Sequence, residues 1–255
     1  MSLSAADIEP LLHTRLFGRD ILCFSTLDST NREARRRADA LSSGTVLIAD
    51  EQTAGRGRFG RQWLSSAGEG LWMSVLFRPE IETSLLTLMA GVAACQALRA
   101  QTGLPVGIKW PNDLMINGRK VCGILGEILT GGENTVILGL GINVSQTVFA
   151  PELAHTATSL RMQTNRIYDR APLAAAVLNV LDEAYHDLLK EKGASALVGA
   201  CSALCITLGQ EVRVMRPDGT MTGKADSIAI DGALRVQTDQ GLVSVYAGEV
   251  SVRDL

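Results

Sequence analysis

The amino-acid sequence predicts an α/β (α+β) chain in which a mixed sheet flanked by helices is followed by a small antiparallel β-barrel. Segments with strand and helix periodicity succeed one another from residue 21 to residue 203. Turn residues at 111–113 and 131–132 separate strand-like segments, which indicates antiparallel hairpins as well as crossovers. From Thr207 onward, short alternating runs such as EVRVM and ALRVQT replace the helical pattern.

The individual elements follow from their periodicity and their boundary residues. The predicted strands have apolar or alternating patterns and cover residues 21–26, 45–50, 71–77, 106–110, 120–129 and 135–144. The predicted helices cover about residues 5–17, 30–41, 83–101, 171–190 and 194–203. Ser4 with Asp7, and Thr30 with Glu33, have capping-box spacing at the first two helix starts. No low-complexity linker separates residues 1–206 from 207–255, so the two predicted domains should pack together.

Composition restricts the classes of function. The formal net charge of −3 over 255 residues gives no global attraction to DNA or to a membrane surface. The five cysteines include no C-x-x-C pair, which favours a reduced, intracellular protein. The N-terminus lacks the features of a signal peptide, and no run reaches the ~18 uninterrupted apolar residues of a membrane span. We therefore expect a cytoplasmic protein that binds neither DNA nor membrane.

A Gly/Arg-rich segment, GRGRFGRQW at residues 55–63, follows a predicted strand. Its glycines allow backbone N–H groups to approach an anion, and its arginines suit phosphate. The pattern therefore favours a phosphate-bearing ligand. A disordered loop or an RNA-binding element stays open from composition alone. The spacings of a P-loop and of a dinucleotide-binding motif are both missing.

Two further segments have chemical as well as structural interpretations. KWPNDL at 109–114 and GRKVCGIL at 118–125 could form a hairpin with solvated lysines, or Lys120 could face a pocket and stabilise charge on a phosphate. DSTN at 28–31 lies where a strand meets a helix. Thr30 there could be a helix cap, or the hydroxyls could bind a neutral polar ligand head.

These segments, in this order, resemble the biotin protein ligases. The resemblance rests on DSTN, EQTAGRGRFGRQW, KWPNDL with GRKVCGIL, GLGIN at 139–143 and GEVSVR at 248–253. It implies a class II synthetase-like catalytic domain over residues 1–206 and an SH3-like C-terminal domain over residues 207–255. Because DSTN begins at Asp28, the segment before it is too short for a winged helix-turn-helix, so we expect the monofunctional type without operator binding.

The resemblance also implies the site residues. The implied biotin-binding residues are Ser29, Thr30, Asn31, Gln52, Gly55, Arg56, Gly57, Arg58, Lys120 and Gly123. The implied nucleotide-binding residues are Arg56, Arg58, Arg61, Trp63, Lys120, Asn143 and Arg253. Lys120 and Arg58 are implied to be catalytic, together with Asp113 as a base or a magnesium-linked carboxylate. The loop containing Arg56 to Arg58 is expected to become ordered when ligand binds.

The implied activity is an ATP-dependent ligation. Biotin and ATP with Mg²⁺ would be substrates, and the biotinyl group would pass to one lysine of a biotin carboxyl carrier protein. The three histidines lack metal-ligand spacing, so no protein-bound metal is expected. Two alternatives stay open, a lipoate-protein ligase-like acyl transferase and a non-catalytic SH3-like binding module. The oligomeric state also stays open, a homodimer included.

Overall fold

The computed structural model describes residues 3–81, 83–129, 134–216, 219–246 and 251–254. The predicted turn at Gly131-Gly132 and residues 248–250 of the GEVSVR segment lie outside these described residues. The predicted fold class is confirmed, since a mixed sheet flanked by helices is followed by a small antiparallel sheet.

The larger sheet contains seven strands. They are β1 (Ile21–Leu27), β2 (Thr45–Gln52), β3 (Gly70–Phe77), β4 (Gly107–Lys109), β5 (Asp113–Ile116), β6 (Arg119–Leu129) and β7 (Thr135–Asn143). Their order across the sheet is β1-β2-β3-β7-β6-β5-β4. Strands β1 and β2 pair in parallel, and every other pair is antiparallel. The antiparallel pair of β6 and β7 agrees with the hairpin predicted between them.

Six α-helices accompany this sheet in the described part of the chain. They are α1 (Ala5–Ile8), α2 (Thr30–Arg36), α3 (Leu86–Thr102), α4 (Leu160–Thr164), α5 (Arg170–Leu188) and α6 (Gly193–Leu204). By length and composition alone, the segment Thr83–Thr102 could cross a membrane, but 67% of it is buried inside the fold. It is a core helix that packs against α5 and α6.

The two faces of the larger sheet have different partners. Alternate residues of the central strands, such as Leu138 and Leu140 of β7, join helices α3, α5 and α6 in the main apolar core. The opposite face carries helix α2, whose Ala34 packs in a second, smaller core that includes Ile137 of β7. This second core covers only part of that face, and the remainder lies open beside α2.

The C-terminal unit is a five-stranded antiparallel sheet. Its strands are β8 (Glu211–Arg216), β9 (Gly219–Ile228), β10 (Leu234–Thr238), β11 (Gly241–Val245) and β12 (Ser251–Asp254), in the order β11-β10-β9-β8-β12. Trp110 joins it to the larger unit, donating its indole N–H to the Gly232 carbonyl at 3.1 Å and its backbone N–H to Thr207 Oγ1 at 3.0 Å. The main core also continues into this sheet, so the two units pack together as predicted. The exact boundary at residues 206 and 207 stays a prediction.

Several predicted elements differ in detail. The helix predicted over residues 5–17 becomes α1 and a short 3₁₀ turn that ends at Leu11, because Pro10 lacks the N–H that would continue the α-helix. Helix α2 ends at Arg36, and hydrogen-bonded turns follow it up to Leu41. Thr30 is not its N-cap, which is Ser29. Strand β5 and helix α4 were not predicted, since both are too short for periodicity to identify.

Candidate active site

A cavity of about 570 Å³ lies on the α2 face of the larger sheet, and all three sequence motifs reach it. The predicted site residues that line it are Ser29, Thr30, Asn31, Gln52, Arg56, Gly57, Arg58, Arg61, Trp63, Asp113, Lys120, Gly123 and Asn143. Gly55 is not part of the lining. Arg253 lies in β12, opposite Arg213 of β8, and its side chain is outside the described part of the structure.

Three glycines on adjacent strands form the floor of the cavity. Gly123 of β6 is the register partner of Gly141 of β7, and Gly139 lies two residues earlier on the same face. A Cβ atom at Gly141 would lie 2.6 Å from Trp63 Nε1, and one at Gly139 would lie 2.2 Å from Asn31 Oδ1. Each approach is closer than a real side chain permits, so glycine at these positions allows the Trp63 and Asn31 side chains to lie directly against the sheet.

Trp63 covers part of this floor. Its indole ring lies against Gly123 and Gly141 and meets the ring of Trp72 edge-on, with the ring centroids 6.5 Å apart. Among the described residues, the indole nitrogen of Trp63 is buried without a hydrogen-bond partner and lies against Gly141. A buried donor without a partner is costly to the fold.

The polar end of the cavity is organised around Gln52. Its Oε1 accepts a hydrogen bond from the Thr30 backbone N–H at 2.8 Å and lies 3.1 Å from the Thr30 hydroxyl oxygen. Because the backbone N–H can only donate, the amide orientation is determined, and Nε2 donates to Ser65 Oγ at 2.8 Å. The second N–H of Nε2 has no partner among the described residues and can donate to a ligand. Ser29 lies beside this group and is buried.

Asn31 adjoins the same pocket, but both ends of its side chain are engaged. Nδ2 donates to Glu127 Oε2 at 2.7 Å, and Oδ1 lies 2.6 Å from the donating hydroxyl of Ser74. Ser74 Oγ is also 2.6 Å from Thr30 Oγ1. Asn31 therefore connects the pocket to residues outside it, and its side chain is positioned by them.

Helix α2, which carries Thr30 and Asn31, is held by charge pairs at its first turn. Arg36 donates to Asp28 at 2.8 Å and lowers the pKa of that carboxyl far below its usual range. Burial opposes ionisation of Glu33, yet hydrogen bonds from Arg36 and Arg37 outweigh it and lower the Glu33 pKa. Both carboxylates are therefore ionised at neutral pH, which keeps the start of the helix in place.

The Gly/Arg segment forms a folded-back arm, residues 55–63, which we call the arginine arm. Its two sides pair through backbone bonds from Gly57 N to Arg61 O at 2.7 Å and from Trp63 N to Gly55 O at 2.9 Å. A short 3₁₀ turn, Arg58–Gly60, forms the tip. Phe59 at this tip has a φ of +56°, a left-handed conformation that is unusual for a residue with a side chain.

Arg58 returns from the tip of the arginine arm into the cavity. It donates to Asn112 Oδ1 at 2.9 Å, while Asn112 Nδ2 donates to the Ile124 carbonyl at 2.8 Å. Burial lowers the pKa of Arg58, and the negative charge of Asp113 partly opposes this effect. The guanidinium stays charged, because a lowered arginine pKa is still far above neutral pH.

Lys120 lies where the polar pocket and the arginine arm meet. Its Nζ is 2.6 Å from Asp113 Oδ1 and 5.0 Å from the centre of the Trp63 ring. Its backbone pairs with a segment that forms another cavity wall, from Lys120 N to Thr156 O at 2.7 Å and from Thr158 N to Lys120 O at 2.8 Å. A carboxylate, an aromatic face and two backbone bonds thus hold the ammonium in the cavity.

Comparison with known proteins places this architecture in a family. The model of the Biotin/lipoate A/B protein ligase family matches residues 23–143, and that of the Biotin protein ligase C terminal domain matches residues 207–253. The biotin--[acetyl-CoA-carboxylase] ligase of Mycobacterium tuberculosis is 36% identical over 234 residues, which cover 87% of this chain and 85% of that protein. This chain belongs to the biotin protein ligase family.

Two further relatives agree with this membership. The bifunctional ligase/repressor BirA of Bacillus subtilis is 35% identical, and the alignment covers 98% of this ligase and 79% of that protein. The structure of the biotin protein ligase from Aquifex aeolicus in complex with biotin and ATP superposes with a TM-score of 0.85 at 33% identity. That match covers 93% of this chain and 100% of the other.

Asn143 of the ligase lines the cavity but is committed to the surrounding structure. Its Nδ2 donates to the Thr158 carbonyl at 3.0 Å, and its Oδ1 accepts from Gln146 Nε2 at 3.2 Å. These bonds hold the segment after β7 against the cavity wall. A role for Asn143 toward the nucleotide stays a prediction.

Sequence reasoning missed several residues that organise this ligase's site. Ser65, Ser74, Asn112 and Glu127 each bind a predicted site residue. A signal for Glu127 was present, because strand alternation places Leu125 and Glu127 on the same face as Gly123. The cavity wall formed by Phe149, Leu153 and Thr156 carried no such signal, since this segment lies between regular elements.

Proposed function

We propose that this ligase adenylates biotin to biotinyl-5′-AMP and then transfers the biotinyl group to one lysine of a biotin carboxyl carrier protein. The observation that carries the proposal is the position of Lys120. Its ammonium lies in the same cavity as the polar pocket around Gln52 and the arginines of the arm. A carboxylate from one side and a phosphate from the other would meet at this charge.

The biotin head fits the polar pocket by hydrogen-bond complementarity. A buried ureido group has one acceptor and two donors that need partners. The free N–H of Gln52 Nε2 can donate to it, and the hydroxyl oxygens of Ser29 and Thr30 can accept from it. The apolar remainder of biotin would lie over the glycine floor, so its carboxylate would point toward Lys120.

The nucleotide side is positively charged. Arg56, Arg58 and Arg61 of the arginine arm line the cavity and can bind the phosphates of ATP by forked hydrogen bonds. Mg²⁺ would enter as part of the ATP substrate. Asp113 can approach it, but its Oδ1 is engaged with Lys120, so we assign Asp113 first to orienting that ammonium.

The first step joins two anions and therefore depends on charge stabilisation. The biotin carboxylate attacks the α-phosphate of ATP, the mixed anhydride forms, and pyrophosphate leaves. Lys120 and the arginines offset the negative charge that accumulates as the carboxylate approaches. The cavity holds both substrates in place, so no protein nucleophile is needed.

In the second step, the carrier's lysine amine attacks the acyl carbon of the adenylate. An amide forms, AMP leaves and the amine loses its proton to a base. Trp63 and the arginine arm cover the anhydride meanwhile and limit its hydrolysis. The names of the Mycobacterium tuberculosis and Paracoccus denitrificans relatives support an acetyl-CoA carboxylase as the source of the carrier.

A pyrophosphate-exchange assay tests the proposal. Biotin-dependent exchange between ATP and labelled pyrophosphate is the expected result. Lipoate-dependent exchange would select the lipoate relative instead, and no exchange with either acid would contradict the proposal. Incubation with ATP, biotin and a candidate carrier should then add one biotinyl group, observed by mass spectrometry at one lysine.

The location of the protein and its binding partners complete the proposal. We expect a cytoplasmic ligase that binds neither DNA nor membranes, because its net charge is −3 and its longest apolar helix is used in the core. Cell fractionation and a DNA mobility-shift assay test these expectations. Sedimentation of the ligase with and without biotinyl-adenylate tests for a homodimer.

A further inference from the structure

Glu127 joins three groups that belong to different parts of the site. It lies on β6, and 14% of its side chain is exposed. Its Oε1 accepts from Arg56 of the arginine arm at 3.1 Å and from Arg35 of helix α2 at 3.3 Å. Its Oε2 accepts from Asn31 Nδ2 at 2.7 Å. One carboxylate thus contacts the arm, an outer helix residue and the residue next to the biotin pocket.

The orientations along this chain of contacts are determined by chemistry. The Glu127 carboxylate and the Leu125 carbonyl can only accept, so they fix Asn31 Nδ2 toward β6 and Oδ1 toward Ser74. Asn31 Oδ1 can only accept, so the Ser74 hydroxyl must donate to it. The Ser74 oxygen lies 2.6 Å from the Thr30 hydroxyl, which supplies the proton of this contact, and the Thr30 backbone N–H donates to Gln52 Oε1 at 2.8 Å.

We infer that Glu127 is a positioning residue that holds Arg56 at the nucleotide side of the cavity and, through Asn31 and Ser74, holds Thr30 in the biotin pocket. This inference rests on the proposed function. Glu127 does not line the cavity among the described residues, so it acts through these neighbours. The two branches leave from different oxygen atoms of the same carboxylate.

The two branches have different consequences. Arg56 has a flexible side chain on an exposed arm, and Glu127 restricts the positions that its guanidinium occupies before ATP arrives. Thr30 keeps its hydroxyl oxygen in a fixed position only while Ser74 binds that hydroxyl and Gln52 binds the Thr30 backbone N–H. Loss of the carboxylate charge should therefore weaken ATP use through Arg56 and biotin binding through Asn31.

The principal test is Glu127→Gln, which keeps the shape of the side chain and removes its charge. We expect kcat/KM for ATP to fall by about tenfold, the size of one lost charge-assisted hydrogen bond. In an Arg56→Ala background, the same substitution should change kcat/KM for ATP by less than about twofold, because the residue through which it acts is gone. Biotin affinity should fall in both backgrounds.

Arg35→Ala is the matched control. Arg35 contacts the same Glu127 oxygen but does not line the cavity, so both substrate parameters should stay within about twofold of the original enzyme. Ser74→Ala is a second, independent variant that interrupts only the biotin branch. It should lower biotin affinity by about fivefold without changing KM for ATP. It therefore tests the hydrogen-bonded connection from Glu127 to Thr30 even if Glu127→Gln does not fold.

The outcomes separate this inference from the proposed function. An unmodified enzyme without biotin-dependent exchange overturns the proposed function. If that enzyme is active and Glu127→Gln has the same kcat/KM for ATP and the same biotin affinity, only the positioning role of Glu127 is overturned. The positioning role is also overturned if Glu127→Gln lowers kcat/KM for ATP equally with and without Arg56. It is likewise overturned if Arg35→Ala lowers kcat/KM for ATP as much as Glu127→Gln does, because the carboxylate then acts as a general structural contact.

Discussion

The two faces of the seven-stranded sheet are built from the same strands but obey different requirements. On β7, Leu138 and Leu140 point into the apolar core beneath α3 and α5, while Gly139 and Gly141 face the cavity. The first face is defined by volume that side chains fill. On the second face, side chains leave a cavity open, and hydrogen-bonding groups point into that cavity.

Substitutions on the two faces should therefore affect different properties of the enzyme. A change on the apolar face alters the free energy of unfolding, because packed atoms are lost there. A change on the cavity face should alter binding or rate with a smaller effect on stability.

Lys120→Ala should slow pyrophosphate release by a factor of about 10² to 10³, the usual cost of removing one preorganised donor. Its pair with Asp113 is about 30% exposed, so stability should change by only about 0 to 1 kcal/mol. Chemically supplied biotinyl-adenylate should bypass part of the defect. Adenylate formation at the normal rate, or complete loss of biotin binding, would contradict a role in charge stabilisation.

Leu138→Ala and Gly139→Ala compare adjacent residues that point to opposite faces. Leu138 is fully buried, so its truncation should lower the free energy of unfolding by about 2 to 5 kcal/mol while the folded enzyme keeps its KM for biotin. Gly139→Ala must displace Asn31, whose Oδ1 would lie 2.2 Å from the new Cβ, so it should raise that KM. Denaturant unfolding measures the free energy of unfolding, and steady-state kinetics measure KM for biotin. If the two variants change both quantities in the same way, the division between the faces is wrong.

Gln52→Ala should weaken biotin binding by about 1 to 3 kcal/mol, because it leaves the Thr30 N–H and part of the ureido group without partners. Titration calorimetry measures the affinity directly. Gln101→Ala, at an exposed position near the end of α3, is the control and should bind biotin normally. Unchanged affinity in Gln52→Ala would limit this residue to holding Thr30 and Ser65.

The arginine arm should gain protection from hydrogen exchange when biotinyl-adenylate is present. Its backbone pairs are few, and its arginines acquire phosphate partners only with the ligand. Strand β7, which is central in the sheet, should exchange equally slowly in both states. Equal protection of residues 55–63 with and without the intermediate would indicate that the arm is already in its closed form.

Many residues of the site could be predicted from local sequence. The motifs that contain Thr30, Arg58 and Lys120 were identified from residue types and spacing, and all three residues line one cavity. The hydrogen-bond partners of individual side chains could not be predicted in this way. Thr30 has the spacing of a helix cap, yet its N–H binds Gln52 and its hydroxyl contacts Ser74, because tertiary partners compete with the local cap.

Local sequence patterns predict the order of the elements, the change from helical to strand periodicity at Thr207 and the three chemical motifs. These features depend on neighbours along the chain, and period and turn chemistry express them directly. Only the tertiary structure decided that Glu127 reaches Arg56 and Asn31, and that Gly123 and Gly141 become one floor beneath Trp63. The physical reason is register: strand pairing brings together residues that are far apart in the chain, and no local pattern specifies which of them meet.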